Sequence, residues 1–280
     1  MIRLPIGLYV EKGVDWLTNN LSGFFGGIKT AIEAVINGFQ FVYIGIPFVI
    51  MLILIGVLAY FTAGRKTAIF SIVGCLVIKS IELWELTMKT FALVTTATLI
   101  ALLIGIPLGI WMSRSDRLNK VMRPILDFMQ TMPAFVYLIP AVYFFDLGPV
   151  PGAFATIIFA MPPIVRLTSL GIRQVPADVV EASRSFGATP QQMLFKVQIP
   201  LAMPTILAGL NQTIMLSLSM VVISAMIGSG GLGDVVLKGI SQMKIGEGFE
   251  GGLAVVILAM ILDRVTQSVG RSKKTKTGSK

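Results

Sequence analysis

The sequence predicts an all-α membrane protein: about seven transmembrane helices, an amphipathic helix ahead of them, and a helix-turn-helix loop on the cytoplasmic side. Three observations carry this prediction. Apolar side chains make up 55% of the chain against 13% charged, and the mean hydropathy is +0.83, which is not the balance of a soluble globule. Several uncharged stretches exceed the roughly 20 residues that cross about 30 Å of hydrocarbon as a helix. Lysine and arginine gather in the segments that alternate crossings place on one side. Histidine is absent and cysteine occurs once, at Cys75. A His-based triad, a structural zinc site and an internal disulfide are therefore excluded, and the chain is expected not to be an enzyme.

The N-terminal segment, residues 1–40, is interrupted by Glu11, Lys12 and Asp15, so it lacks the apolar core of a secretory signal. Val14, Leu17, Leu21, Phe24, Ile28, Ile32 and Val35 recur at helical spacing with Asp15, Asn19, Lys29 and Glu33 between them. That pattern is an amphipathic helix, lying on the membrane surface or bracing the bundle. Residues 41–270 form the transmembrane domain. Its first crossing is expected at Val42–Phe61, inside an uncharged stretch. The second, starting at Thr67, is weaker, because Lys79 must snorkel and the helix must continue towards Leu86 to be long enough. Thr90–Ser113 is the third, Pro124–Phe145 the fourth, and Val150–Leu170 the fifth. Pro162 and Pro163 in the fifth require protein packing around them, since freed carbonyls cannot be left to lipid. Thr205–Ile227 is the sixth. The seventh, from Gly251 to Gln267, carries Asp263 and Arg264 at its far end.

Seven crossings put the termini on opposite sides. Arg65 and Lys66, then Arg114, Arg117, Lys120 and Arg123, then Arg173, Arg184 and Lys196, then the basic tail of residues 271–280, all fall on one face. By the positive-inside rule that face is cytoplasmic, with the N-terminus outside. The net charge of +9 thus reflects topology and not a nucleic-acid partner.

Between the fifth and sixth crossings lies a structured interruption, residues 173–203. Pro176 suits the first turn of a helix running to Phe186, which Gly187 ends by taking a left-handed conformation. Thr189 then caps a second helix, Pro190 takes its first position, and Gln192 stands where a capping box needs its return partner. Pro200 and Pro204 are expected to end that helix and open the sixth crossing. In isolation Glu181–Val197 resembles a DNA-binding helix-turn-helix. Both ends enter the bilayer within a few residues, however, leaving no room for a third helix or a groove-straddling dimer. The segment reads instead as a docking element for a cytoplasmic protein.

These residues also carry a resemblance. Glu181-Ala182-Ser183, Gly187, Val197, Ile199 and Pro200 stand at the spacing E-A-A-x3-G-x9-I-x-L-P, which resembles the EAA coupling loop of permease subunits from binding-protein-dependent ABC importers. Departures at Ser183, Val197 and Ile199 are small or aliphatic exchanges. Asp127–Tyr137 (DFMQTMPAFVY), Phe159–Pro163 (FAMPP) and Ser217–Val222 (SLSMVV) look like the glycine betaine/proline betaine permeases, and the likeness covers roughly residues 85 to 270. The resemblance implies a type I ABC importer in a bacterial plasma membrane. Its parts would be two copies of this chain, two ATPases docked at Glu181, Ala182, Ser183, Gly187, Ile199 and Pro200, and an extracellular binding protein. ATP and Mg²⁺ would belong to the ATPase, in keeping with the absence of G-x4-GK-[ST] from this sequence. Glu181 would either pair with a basic group there or stand solvated.

Quaternary ammonium groups have no N–H to donate and are attracted to aromatic faces. Phe128, Phe135 and Tyr137, with the polar Gln130, Asn211 and Ser217, are therefore the candidate substrate pathway, although core aromatics and interhelical hydrogen bonds are the commoner use of such residues. Asp127 is expected to cap its helix or pair with Arg123. Gly228–Gly233 fits G-x-G-x-x-G but lacks the strand and helix of a nucleotide fold, and reads as an outer turn or short re-entrant element contacting the binding protein. Gly105 and Gly109 form a small-xxx-small pair for close helix approach. The rival reading, an ion-coupled secondary transporter, would call for an internal repeat and a membrane-buried acid.

Overall fold

The computed structural model describes residues 5–271, which are helical almost throughout and contain no strand. In chain order the helices are α1 (Ile6–Asn20), α2 (Ser22–Gly45), α3 (Phe48–Ala63), α4 (Arg65–Ser80), α5 (Trp84–Arg114), α6 (Asp116–Thr131), α7 (Ala134–Phe145), α8 (Pro149–Arg173), α9 (Ala177–Ser185), α10 (Pro190–Gln192), α11 (Ile199–Ala225), α12 (Leu232–Ser241) and α13 (Ile245–Arg271), with a π-helical segment, Met193–Gln198, joining α10 to α11. Residues 272–280 of the expected basic tail lie outside the described residues.

Four helices are long and apolar enough to cross a membrane unaided: α5, α8, the continuous stretch Pro190–Ala225, and α13 over Ile245–Ser268. The first and fourth expected crossings are not straight. The chain bends by 103° between α2 and α3 and by 98° between α6 and α7. Proline explains both. Pro47 and Pro133 lack an N–H, and their rings push Ile46 (ψ 126°) and Met132 (ψ 134°) into extended backbone. The second expected crossing stops at Ser80, short of Leu86. At about 1.5 Å per residue its helix spans roughly 24 Å, and its Lys79 ammonium lies 5.8 Å from the centre of the Phe48 ring. The predicted N-terminal amphipathic helix is two helices that break at Leu21, and the second runs on past residue 40 into the bend at Pro47.

The centre of the bundle is α8, sandwiched between α5 and α11. Small residues let these helices touch. A Cβ on Gly105 would lie 2.6 Å from Ile164 Cγ2, and one on Gly109 would lie 2.7 Å from the Val165 carbonyl, so the expected small-xxx-small contact is made against α8. Gly209 of α11 and Gly171 of α8 do the same on the other side, with Ile164 Cα at 3.2 Å and the Ala202 carbonyl at 3.2 Å. Pro162 and Pro163 are buried inside an unbroken α8, as crossing five required. Around this centre, Ile32 and Ile36 of α2 pack on Leu93, Ala97, Phe145 and Ile157, and α3, α4 and α13 bury Met51, Ile78, Ile257 and Ile261 with Trp84.

Candidate coupling and translocation sites

The loop between α8 and α11 begins with α9, a helix with no buried residue, opened by Pro176 in extended backbone (ψ 135°). It ends in a Schellman motif. The Gly187 N–H donates to the Arg184 carbonyl at 2.9 Å and the Ala188 N–H to the Ser183 carbonyl at 3.1 Å, with Gly187 at φ 80°. Both arms of the capping box then form: Thr189 N–H to Gln192 Oε1 at 3.0 Å, and Gln192 N–H to Thr189 Oγ1 at 3.3 Å. Phe186, at the turn, is 91% exposed. Glu181 and Ala182 are exposed and Ser183 is half-buried. Glu181 has no ion-pair partner among the described residues. Ile199 and Pro200 stand apart from this turn. Pro200 does not end a helix. The π-helical segment changes the hydrogen-bond step just before it, so α10 runs through into α11 without a break, while Leu194 is anchored in a cluster with Ile164, Ile172 and Ala202 that Ile199 also packs against. The predicted docking residues thus divide into an exposed knuckle, 181–187, and its root at 199–200.

The six predicted pathway residues do not converge within one chain. Phe128 and Phe135 are 63% and 52% exposed on the bent α6–α7 pair, with Gln130 exposed beside them. Tyr137 is buried, its hydroxyl donating to the Met129 carbonyl, which ties α7 back across the bend to α6. Ser217 is fully buried, donating to the Thr213 carbonyl at 2.9 Å and accepting from Thr98 Oγ1 at 3.4 Å. Asn211 joins α11 to α13: its amide donates to Asp263 Oδ1 at 2.9 Å and its carbonyl accepts from Thr266 Oγ1 at 2.9 Å. For these last three, helix-to-helix bonding accounts for the polar group. Asp127 pairs with Arg166 of α8 and not with Arg123; an ion pair across helices overrode the local option on α6.

The glycine-rich turn has Gly228, Gly230 and Gly231 all at φ near 80°. It seats α12 against the start of α5: the Leu232 N–H donates to Thr90 Oγ1 at 2.8 Å in a buried contact. A Cβ on Gly231 would lie 2.4 Å from that hydroxyl oxygen, so both the backbone angle and the lack of space call for glycine.

Sequence reasoning missed two arginines that join the loop's roots to other helices. Arg173, the last residue of α8, donates from Nη1 to Asp116 Oδ1 of α6 at 2.7 Å and from Nη2 to the Met112 carbonyl of α5 at 2.8 Å. Arg114, the last residue of α5, donates to the Pro190 carbonyl at 3.1 Å. Between them lies a cavity of about 290 Å³ lined by Arg114, Arg173, Val180, Glu181, Arg184 and Gln198. Their available signal is a basic residue in the last turn of each helix, which positive-inside topology accounts for without any partner.

The family described as binding-protein-dependent transport system inner membrane component matches residues 101–271. Among curated proteins, the glycine betaine/proline betaine transport system permease protein ProW of Escherichia coli is 51% identical over 98% of this chain and 77% of its own length. The glycine betaine transport system permease protein OpuAB of Bacillus subtilis is 48% identical over 98% and 97%. The glycine betaine/carnitine transport permease protein GbuB of Listeria monocytogenes is 49% identical over 97% and 98%. Among solved structures, an inward-facing form of the MetNI methionine ABC transporter superposes with a TM-score of 0.58 at 23% identity, covering 68% of this chain and 93% of that one. That last likeness is one of fold.

Proposed function

The chain belongs to the binding-protein-dependent transport system inner membrane component family, and from that premise we propose that it is the membrane-spanning subunit of an ATP-driven importer for glycine betaine or a related quaternary ammonium osmoprotectant. The observation that carries the substrate class is identity near one half, sustained along almost the whole chain, with three permeases named for glycine betaine transport. The exposed knuckle Glu181–Gly187 supports the energy source. It is a projection between two membrane helices, shaped by its own Schellman motif and capping box, whose Glu181 has no ion-pair partner among the described residues, and it suits a cleft on a cytoplasmic ATPase.

In this reading two copies of the chain enclose the path, and Phe128, Gln130 and Phe135, open on the surface of each, face it. Their rings offer the quadrupole attraction that a methylated ammonium needs. Weak binding suffices, because the solute must leave again. Two ATPases bind ATP and Mg²⁺ and press on the knuckles, and an external binding protein delivers the solute. The knuckle and the basic tail lie on the cytoplasmic side, the N-terminus outside. Opening alternates as ATPase closure moves the paired loops. The chain itself does no bond-breaking chemistry.

Reconstitution tests this. Proteoliposomes containing this chain, its ATPase and its binding protein should accumulate radiolabelled glycine betaine only when ATP reaches the ATPase side. Uptake by the chain alone, following an ion gradient without ATP, would overturn the proposal. So would failure of cysteines placed from Glu181 to Gln192 to crosslink to the ATPase.

A further inference from the structure

We infer that Arg173, Asp116 and Arg114 form a strap that makes α6 follow the coupling knuckle, so that the stroke delivered at Gly187 reaches the α6–α7 pair as well as α8 and α11. The inference rests on the importer reading above. It begins with connectivity. The knuckle continues covalently into α8 at one root and, through the π-helical segment, into α11 at the other. No covalent link of that kind leads to the elbow at Ser115 where α5 passes into α6. α5 itself follows α8, pinned at Gly105 and Gly109, but beyond Ser115 the first residues of α6 are tied to the loop's roots by two arginine side chains. Arg173, at the first root, holds both sides of the elbow, the Met112 carbonyl before and the Asp116 carboxylate after. Arg114, projecting from the elbow, holds the Pro190 carbonyl at the second root.

The rest of the interface is hollow. The 290 Å³ cavity separates the two contacts, and α9 buries none of its residues, so little packing transmits load between knuckle and elbow. A guanidinium suits the role because its planar fork can engage a carboxylate and a carbonyl at the same time. The Met112 carbonyl is also one of the last-turn acceptors that α5 cannot satisfy internally. As a stability element the pair contributes little, since Asp116 is 80% exposed and such ion pairs are weak in water. Its geometry matters for motion. α6 carries Asp127, paired to Arg166 of α8, then Phe128 and Gln130 just before the bend at Pro133. Leu126 is buried against Met112 and Val165 further along; with a strap at the start of α6 and an ion pair near its end, the whole helix is made to move with α8.

The test uses the complex of this chain with its ATPase and binding protein. Arg173→Gln and Asp116→Asn should each leave ATP hydrolysis within about twofold of the parent while lowering solute moved per ATP roughly tenfold, or about 1.4 kcal/mol. The exchange Asp116→Arg with Arg173→Asp should recover only the part of that ratio carried by the ion pair, since an aspartate at position 173 cannot donate to the Met112 carbonyl. A transport-to-ATP ratio unchanged in both single variants overturns the strap. A second measurement separates this inference from its premise. In the chain without its ATPase, Arg173→Gln should accelerate amide exchange several-fold in the first two turns of α6 and leave α8 unchanged. Equal exchange in parent and variant overturns the strap even if ATP-driven uptake is established. If the parent complex shows no ATP-driven uptake but the exchange difference appears, the importer reading fails and the clamp on α6 stands.

Discussion

Pro47 and Pro133 each turn the chain through about a right angle, whereas Pro162 and Pro163 sit in consecutive positions of a helix that continues past them. All four lack the same N–H, and all four disfavour helical backbone in the residue before them. The two regions differ in what surrounds them. Pro47 and Pro133 are exposed; Pro162 and Pro163 are buried between α5 and α11, where Ile164 and Val165 meet the glycines of both neighbours. Packing on two sides leaves α8 nowhere to bend, so the lost hydrogen bonds are tolerated. Pro107 makes the same point from another direction. It is itself exposed, yet Gly105 and Gly109 on either side hold α5 flush against α8, and the helix runs on. A proline therefore reports a possible break, and the contacts around it decide whether the break occurs.

That contrast between a pinned centre and hinged flanks can be broken experimentally. The largest effect is expected at the centre. Gly109→Leu drives side-chain atoms into the Val165 carbonyl and Thr168, and should cost about 3 kcal/mol or more, read as loss of folded protein in detergent–SDS unfolding titrations. Next, Thr90→Val removes the acceptor of the buried Leu232 N–H while keeping the shape, and should cost about 1–3 kcal/mol in the same titration. In the hinged regions the numbers should fall. Gly187→Ala meets no atom within 4 Å and is penalised only through its left-handed backbone, by about 1–2 kcal/mol; here crosslinking to the ATPase should fall more than stability does. Smallest of all, Pro47→Ala removes no buried contact and should change stability by less than about 1 kcal/mol, through backbone freedom alone. Spin labels on α2 and α3 should then report a broader angle. A cost at Pro47 equal to that at Gly109 would dissolve the distinction.

The knuckle was legible because every signal that shapes it is local. Pro176, Gly187, Thr189, Pro190 and Gln192 act within a turn of where they stand, and the Schellman bonds and capping box follow from those side chains and backbone preferences. The close contact at Gly105 and Gly109 was also legible, since spacing alone puts both on one face. The bends at Pro47 and Pro133 were not. An uncharged stretch of sufficient length reads as a crossing whether or not it is straight, and hydropathy has no term for neighbours that would hold a proline in line. Partners across the fold escaped for the same reason. Nothing near Asp127 in the sequence points to Arg166, which is 39 residues away, and Arg123 was the only basic group in local reach. Asn211 and Ser217 stand out in the sequence only by polarity at depth, and that signal does not distinguish a solute contact from a bond to the next helix.

With no side chain on α5 at Gly109 to hold α8 off, and backbone nearly meeting backbone again at Gly209, the three central helices have little freedom to slide past one another. Whatever rotates one must rotate all three, like leaves of a bound book, and compliance is left to the corners at Ile46 and Met132. Opening and closing in this protein would then be a swing of a stiff slab between two creases, and the creases, not the slab, would set how far it travels.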